Sequence, residues 1–161
     1  MTEPKKRPLF LTVLCYITFM TAVTGLWTQS ERLWSPGIVA DTNREVFETV
    51  REKFESQAEG EQLTMMEAMF DAVISQTTAK NIQTGAIILI IFESISLYAA
   101  YLMWNFKKKG YYLYLGGIAV AFLGPILLIG SWMGIISAIS GILMSVLMAV
   151  LYAFNLKHLT D

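Results

Sequence analysis

From Tyr111 to Asn155 the chain runs for 45 residues without a single Asp, Glu, Lys, Arg or His. An α-helix rises 1.5 Å per residue and a bilayer's hydrocarbon core is about 30 Å thick, so about 20 apolar residues cross it once. This run is long enough to cross twice. It divides naturally at Gly130-Ser131-Trp132-Met133-Gly134, where small and interfacial residues interrupt the Leu/Ile pattern. Two further stretches qualify: Pro8 to Thr28, with no acidic or basic side chain, and Gly85 to Trp104, whose one charged residue is Glu93. The whole-chain composition agrees, with 55% hydrophobic and 16% charged residues and a mean hydropathy of +0.51. The expected fold is all-α: a polytopic membrane protein with a four-transmembrane-helix bundle. The expected division is 1–28 for the N-terminus and first span, 29–84 for a loop and 85–104 for the second span. A short loop at 105–110, spans at 111–131 and 133–156 and a tail at 157–161 follow.

Lys5-Lys6-Arg7 before an apolar run also describes a secretory signal peptide. The run here is longer than the usual apolar core of such a peptide. Its end, Thr21-Ala22-Val23-Thr24-Gly25, lacks an A-x-A cleavage pattern. Cys15 follows Thr12-Val13-Leu14, not the small residues that precede a lipidated cysteine. A retained first span is expected.

Lys and Arg near span ends resist translocation. They cluster at residues 5–7, at 107–109 and at Lys157, the three places that four spans put on one side. Those pieces hold seven basic residues against Glu3 and Asp161. The 29–84 loop has the opposite balance, ten acidic residues against five basic. The overall charge of −1 therefore hides two opposed halves. The expected topology is N-in/C-in with the acidic loop outside. Trp27, Trp34, Trp104, Trp132 and the tyrosines at 111, 112 and 114 suit interfacial belts.

A loop of 56 residues is too long to be structureless in a compact protein. Ser35-Pro36-Gly37 predicts a break after a short piece containing Leu33 and Trp34. A helix is expected from Asp41 or Thr42 as N-cap, with Val46, Phe47, Val50 and Phe54 on one face. Gly60 is expected to end it. A second helix from about Glu61 carries Leu63, Met66, Met69, Phe70, Val73 and Ile74 on a stripe, and is expected to run on into the second span. The two form an extracytoplasmic helical hairpin. Met65, Met66 and Met69 are candidates for an adaptable partner-binding surface; Met66 and Met69 also suit a hairpin core.

The chemical inventory is thin. One His, His158, and one Cys, Cys15, are too few for a bis-His haem, a Cys/His zinc site or an iron–sulfur cluster. With a single cysteine, an internal disulfide is impossible. Phosphate-loop, G-x-S-x-G and H-E-x-x-H patterns do not occur in the chain. No catalytic residue, metal or cofactor is expected, and no nucleic-acid partner. The loop holds no N-x-[ST] sequon, which favours a bacterial source and its inner membrane.

Glu93 is the costly residue. An ionised carboxylate at the centre of a bilayer costs about 2.5 kcal/mol or more. Either the carboxyl stays protonated or hydrogen-bond donors surround it. Thr12, Tyr16, Thr18 and Ser137 are candidate donors on other spans. Glu93, Ser94 and Ser96 form the candidate intramembrane polar site. Two readings stand: a proton- or cation-binding carboxylate, or a neutral hydrogen-bonding clamp between helices.

Lipid gives helices no hydrophobic reason to associate, so close backbone approach through small residues carries more weight. Gly116, Gly117, Gly124, Pro125, Gly134, Ser137, Gly141 and Ser145 are the candidate packing positions. Ser137, Gly141 and Ser145 form a small-xxx-small stripe on the last span, and Pro125 is expected to kink the third.

The turn Asn105-Phe106-Lys107-Lys108-Lys109-Gly110-Tyr111-Tyr112-Leu113-Tyr114 and the ending Tyr152-Ala153-Phe154-Asn155-Leu156-Lys157 resemble those of small bacterial four-span membrane proteins. The resemblance covers the membrane portion and implies no activity. The expected function is a non-enzymatic accessory or structural subunit. Its expected partners are the lipid bilayer and other membrane protein subunits, or copies of itself. The alternative is a small oligomeric transporter or channel that uses Glu93.

Overall fold

The computed structural model describes residues 8–56 and 61–160, with side chains described from residue 63 in the second segment. Among the described residues six α-helices follow one another: α1 (Leu9–Trp34), α2 (Pro36–Glu55), α3 (Glu61–Gln76), α4 (Ala79–Trp104), α5 (Lys109–Leu128) and α6 (Ser131–Ala153). A 3-10 turn at Leu156–His158 follows α6. Among the described residues there is no strand. Helices α1, α4, α5 and α6 are each long and apolar enough to cross a membrane. Their outward faces carry Leu9, Met20, Leu127 and Leu143, all more than two-thirds exposed. In water so much exposed hydrocarbon would drive aggregation; against lipid it matches the solvent. These helices mark a membrane protein.

Breaks between helices have local causes that differ in places from the expectations. α1 continues past Thr28 to Trp34, and only Ser35 separates it from α2, its N–H bonded to the Glu31 carbonyl at 2.9 Å. The break expected at Ser35-Pro36-Gly37 falls at Ser35, and Pro36 opens the next helix, because a proline in the first turn gives up an N–H that has no intrahelical partner anyway. The start expected at Asp41 or Thr42 is therefore corrected by one turn or more. The expected break at Gly60 lies outside the described residues. α3 does not run on into α4: it stops at Gln76, and Thr78, in extended conformation, caps α4 by accepting the Asn81 N–H at 3.2 Å. A β-branched residue with a capping oxygen favours that role. Pro125 lies inside α5, which continues to Leu128. The turn into α6 uses Gly130 at φ +66°, a left-handed conformation that glycine adopts without steric cost.

The four long helices pack in chain order, α1 on α4, α4 on α5 and α5 on α6, while α1 and α6 touch far less than any of those pairs. The result is a ring not fully closed between its first and last members. At the basic end one core cluster joins all four through Leu11, Cys15, Met103, Tyr114 and Tyr152. There the C-terminal residues tie onto the α4–α5 turn, with Thr160 N–H donating to the Phe106 carbonyl at 2.6 Å and Lys108 N–H to the Thr160 carbonyl at 2.8 Å. At the other end a second cluster, around Ala40, Val73, Ile82 and Met133, joins α2, α3, α4 and α6 and holds no α1 residue.

The α2–α3 pair seats on that second end. Phe54 packs on Phe70 with ring centroids 6.1 Å apart, and Arg51 bridges to Asp71 at 2.8 Å and to Glu55 at 2.5 Å. The Glu55 hydrogen bond and the Asp71 charge hold the Arg51 guanidinium still more firmly protonated than usual. Thr77, fully buried, donates to the Val73 carbonyl at 2.8 Å and lies 3.9 Å from the Met133 sulfur. Met65 is exposed, whereas Met66 and Met69 are half-buried.

Candidate functional site

Glu93 lies fourteen residues into α4, about 20 Å along its axis and so near mid-depth of the helix. Its carboxyl turns towards α1, where Gly25 makes room: a Cβ built on Gly25 would stand 2.5 Å from Oε1 and 2.6 Å from the carboxyl carbon. Gly25 belongs to none of the packing positions expected from sequence. Its signal was a glycine in one span facing the lone acid of the next, and pairing the two needs the register of α1 against α4.

A cavity of about 220 Å³ opens beside the carboxyl, lined by Thr18 and Thr21 of α1, Glu93 and Ser96 of α4, Tyr114 of α5 and Ser145 of α6. Each of the four long helices supplies part of its wall. Among the described residues no hydrogen-bond donor reaches the Glu93 carboxyl. Ser96 is 2% exposed, and its hydroxyl finds no partner among the described residues. A buried hydroxyl left unsatisfied costs about 1–3 kcal/mol. The remaining hydroxyls are engaged elsewhere. Thr18 donates to the Leu14 carbonyl at 3.0 Å, so the 2.7 Å contact with Tyr152 has the tyrosine as donor. Tyr114 stacks edge-on against Tyr152 at 5.6 Å.

Of the four donors expected for Glu93, the structure brings only Thr18 to its cavity. Thr12 bonds back to the Pro8 carbonyl at 3.2 Å, Tyr16 is exposed and packs on Trp104, and Ser137 belongs to a different cavity. Ser94 also points away: it is exposed and donates to the Ile90 carbonyl at 2.8 Å. Helical geometry explains the split. At 100° per residue Ser96 returns to within about 60° of Glu93, whereas Ser94 is about 100° off.

The packing candidates divide as well. A Cβ on Gly117 would meet Ile95 at 3.0 Å, one on Gly124 would meet Ile88 at 2.8 Å, and one on Gly134 would press within 2.6 Å of the Pro125 carbonyl oxygen. These three sit at close helix contacts, and Pro125 is buried beside the last of them. Gly116 faces open space. The stripe on α6 lines cavities instead of a helix seam. Ser145 borders the Glu93 cavity and Ser137 a second one of about 360 Å³ nearer the α2–α3 end, while Gly141 borders both.

No three of His, Cys, Asp and Glu gather among the described residues. The groups in the Glu93 cavity are thus one carboxyl and several hydroxyls, able to exchange a proton, hold a cation or accept a donor from outside the chain. Compared with known proteins, the chain matches no protein-family model, no curated protein and no solved structure.

Proposed function

We propose that this protein is a non-enzymatic subunit of a larger assembly in the bacterial cell membrane, built as a four-helix bundle with both termini in the cytoplasm and α2–α3 outside. The observation that supports it best is the pair Glu93 and Ser96. Both line one cavity between the poorly joined α1 and α6, and neither has a hydrogen-bond partner within the described chain. A membrane-depth carboxyl without a donor is costly in isolation and favourable once a neighbouring helix supplies an amine, hydroxyl or amide. The basic clusters at one end of the bundle and the acidic α2–α3 pair at the other support the orientation.

The test is gentle detergent extraction followed by native mass measurement. A stoichiometric unlike partner is expected, retained in Glu93→Gln and lost in Glu93→Leu. A second reading, a small oligomeric transporter or channel, is favoured by Gly141, which borders both cavities and leaves little between Glu93 and the α2–α3 end. Reconstituted vesicles separate the two. A homo-oligomer whose proton or cation flux collapses in Glu93→Gln supports transport, and a lone protomer without flux or partner rejects both.

A further inference from the structure

The larger cavity has a polar mouth and a mostly apolar depth. At its mouth stand Arg32 and Gln29 of α1, Asn43 of α2 and Asn81 of α4; deeper in, Leu89 and Ile136 line it together with the small side chains of Ser137 and Ser140. From Asn81 to Leu89 the wall descends about 12 Å along α4. Its volume of about 360 Å³ falls within the range of small-molecule pockets, about 300–1,000 Å³. Arg32 offers five N–H donors, and among the described residues its side chain makes one hydrogen bond, a long one of 3.4 Å to the Gln29 side-chain oxygen. The three ion pairs among the described residues are Arg44–Asp41, Arg51–Glu55 and Arg51–Asp71, so no described carboxylate pairs with Arg32. Gln29 beside it is buried, at 8% exposure.

The position on α1 matches a headgroup. Trp27 and Trp34, 70% and 86% exposed, flank Arg32 on the same helix end, and exposed tryptophans mark the level where headgroups meet hydrocarbon. The core cluster at this end contains no α1 residue and α1 touches α6 little, so the side between these two helices is the route this reading gives an acyl chain from the bilayer.

We infer that this cleft binds an anionic amphiphile: a phosphate or other anionic headgroup on Arg32 and the Asn43 amide, with one acyl segment descending towards Leu89 and Ile136. This site stands apart from the Glu93 cavity and goes beyond the proposed function. Among the described residues Gly141 lines both, so a lipid seated here would lie beside the Glu93 cavity.

The test uses the full chain, stripped of lipid in a neutral detergent. Retention of phosphatidylglycerol, phosphatidylcholine with the same acyl chains and glycerol phosphate alone is then measured by native mass measurement. Phosphatidylglycerol is expected to be retained preferentially. Arg32→Gln is expected to weaken it about tenfold, the scale of one lost charge-assisted hydrogen bond, and to bring it level with phosphatidylcholine. Gly85→Leu, at a position where a Cβ meets only Ile129 at 3.7 Å, is expected to fill the depth and reduce retention of both lipids while elution and thermal unfolding stay unchanged. Equal retention of the two lipids by the unaltered protein, or no loss in Arg32→Gln, overturns the inference. Glycerol phosphate binding as tightly as the lipid overturns the acyl half. Should Gly85→Leu fail to fold, the Arg32→Gln comparison still decides.

Discussion

The two ends of the bundle are built from the same kinds of residue and hold together differently. At the basic end α1 is locked in: Leu11, Leu14 and Cys15 share a core with α4, α5 and α6, Thr18 bonds Tyr152 across the ring, and the C-terminal residues strap the α4–α5 turn. At the α2–α3 end the core passes α1 by, and its place opposite α6 is taken by cavities. Apolar side chains are abundant in both halves. What differs is where the large ones and the hydroxyls fall. Tyr152 reaches across to Thr18, whereas Ser137, Gly141 and Ser145 are too short to bridge the gap that they line. A stripe of small residues promotes close packing only when the facing helix comes near enough to use it.

If the basic end is the tight half, the largest effect belongs to Gly110. A Cβ there would stand 2.6 Å from the Ala99 carbonyl oxygen and 2.8 Å from Met103, so Gly110→Ala is expected to destabilise by about 1–3 kcal/mol. Thermal or denaturant unfolding in detergent reads this, and an unchanged midpoint would break the comparison at its strongest point. Next comes Tyr152→Phe, which removes one cross-ring hydrogen bond at constant shape. Bonds between membrane helices average about 0.6 kcal/mol and reach about 1.7, and a loss in that range on the same assay is expected. A smaller effect is expected from Gly141→Ala, because its Cβ would find Leu89 at an ordinary 3.6 Å. A change within about 0.5 kcal/mol is the expectation, and a large loss would mean that α6 packs on α4 there as tightly as at the basic end. Least of all, Arg51→Ala should leave unfolding unchanged, since exposed ion pairs contribute little. Faster proteolysis between α2 and α3 would be its one trace.

Gly25→Ala sharpens the contrast differently. The added methyl displaces the end of a flexible carboxyl side chain, so stability should hold while any partner retention or flux that depends on Glu93 shifts. Loss of stability without such a shift would make Gly25 a packing residue alone.

The long helices were legible because charge-free runs of bilayer length leave a chain few other solutions. The α2–α3 pair was legible from its apolar stripes, which need water on the opposite face to carry information. Glu93 stood out by its cost, and its grouping with Ser96 follows from a spacing of three residues. Ser94 did not follow, because a neighbour in sequence points elsewhere on a helix. Helix starts were less legible: Pro36 opens α2 and Thr78 caps α4, and both depend on backbone geometry that the residue types permit without requiring.

The amino-acid order alone specified how many long apolar helices there are, which stretches they are built around and which end of the bundle is basic, since these depend only on local charge and length. Which small residues touch, which hydroxyl turns towards Glu93 and where α1 leaves α6 came from the packed arrangement. A helix apolar on every side has no preferred face to announce. Its rotation and tilt are set by contacts with all its neighbours at once, and those contacts exist only after folding.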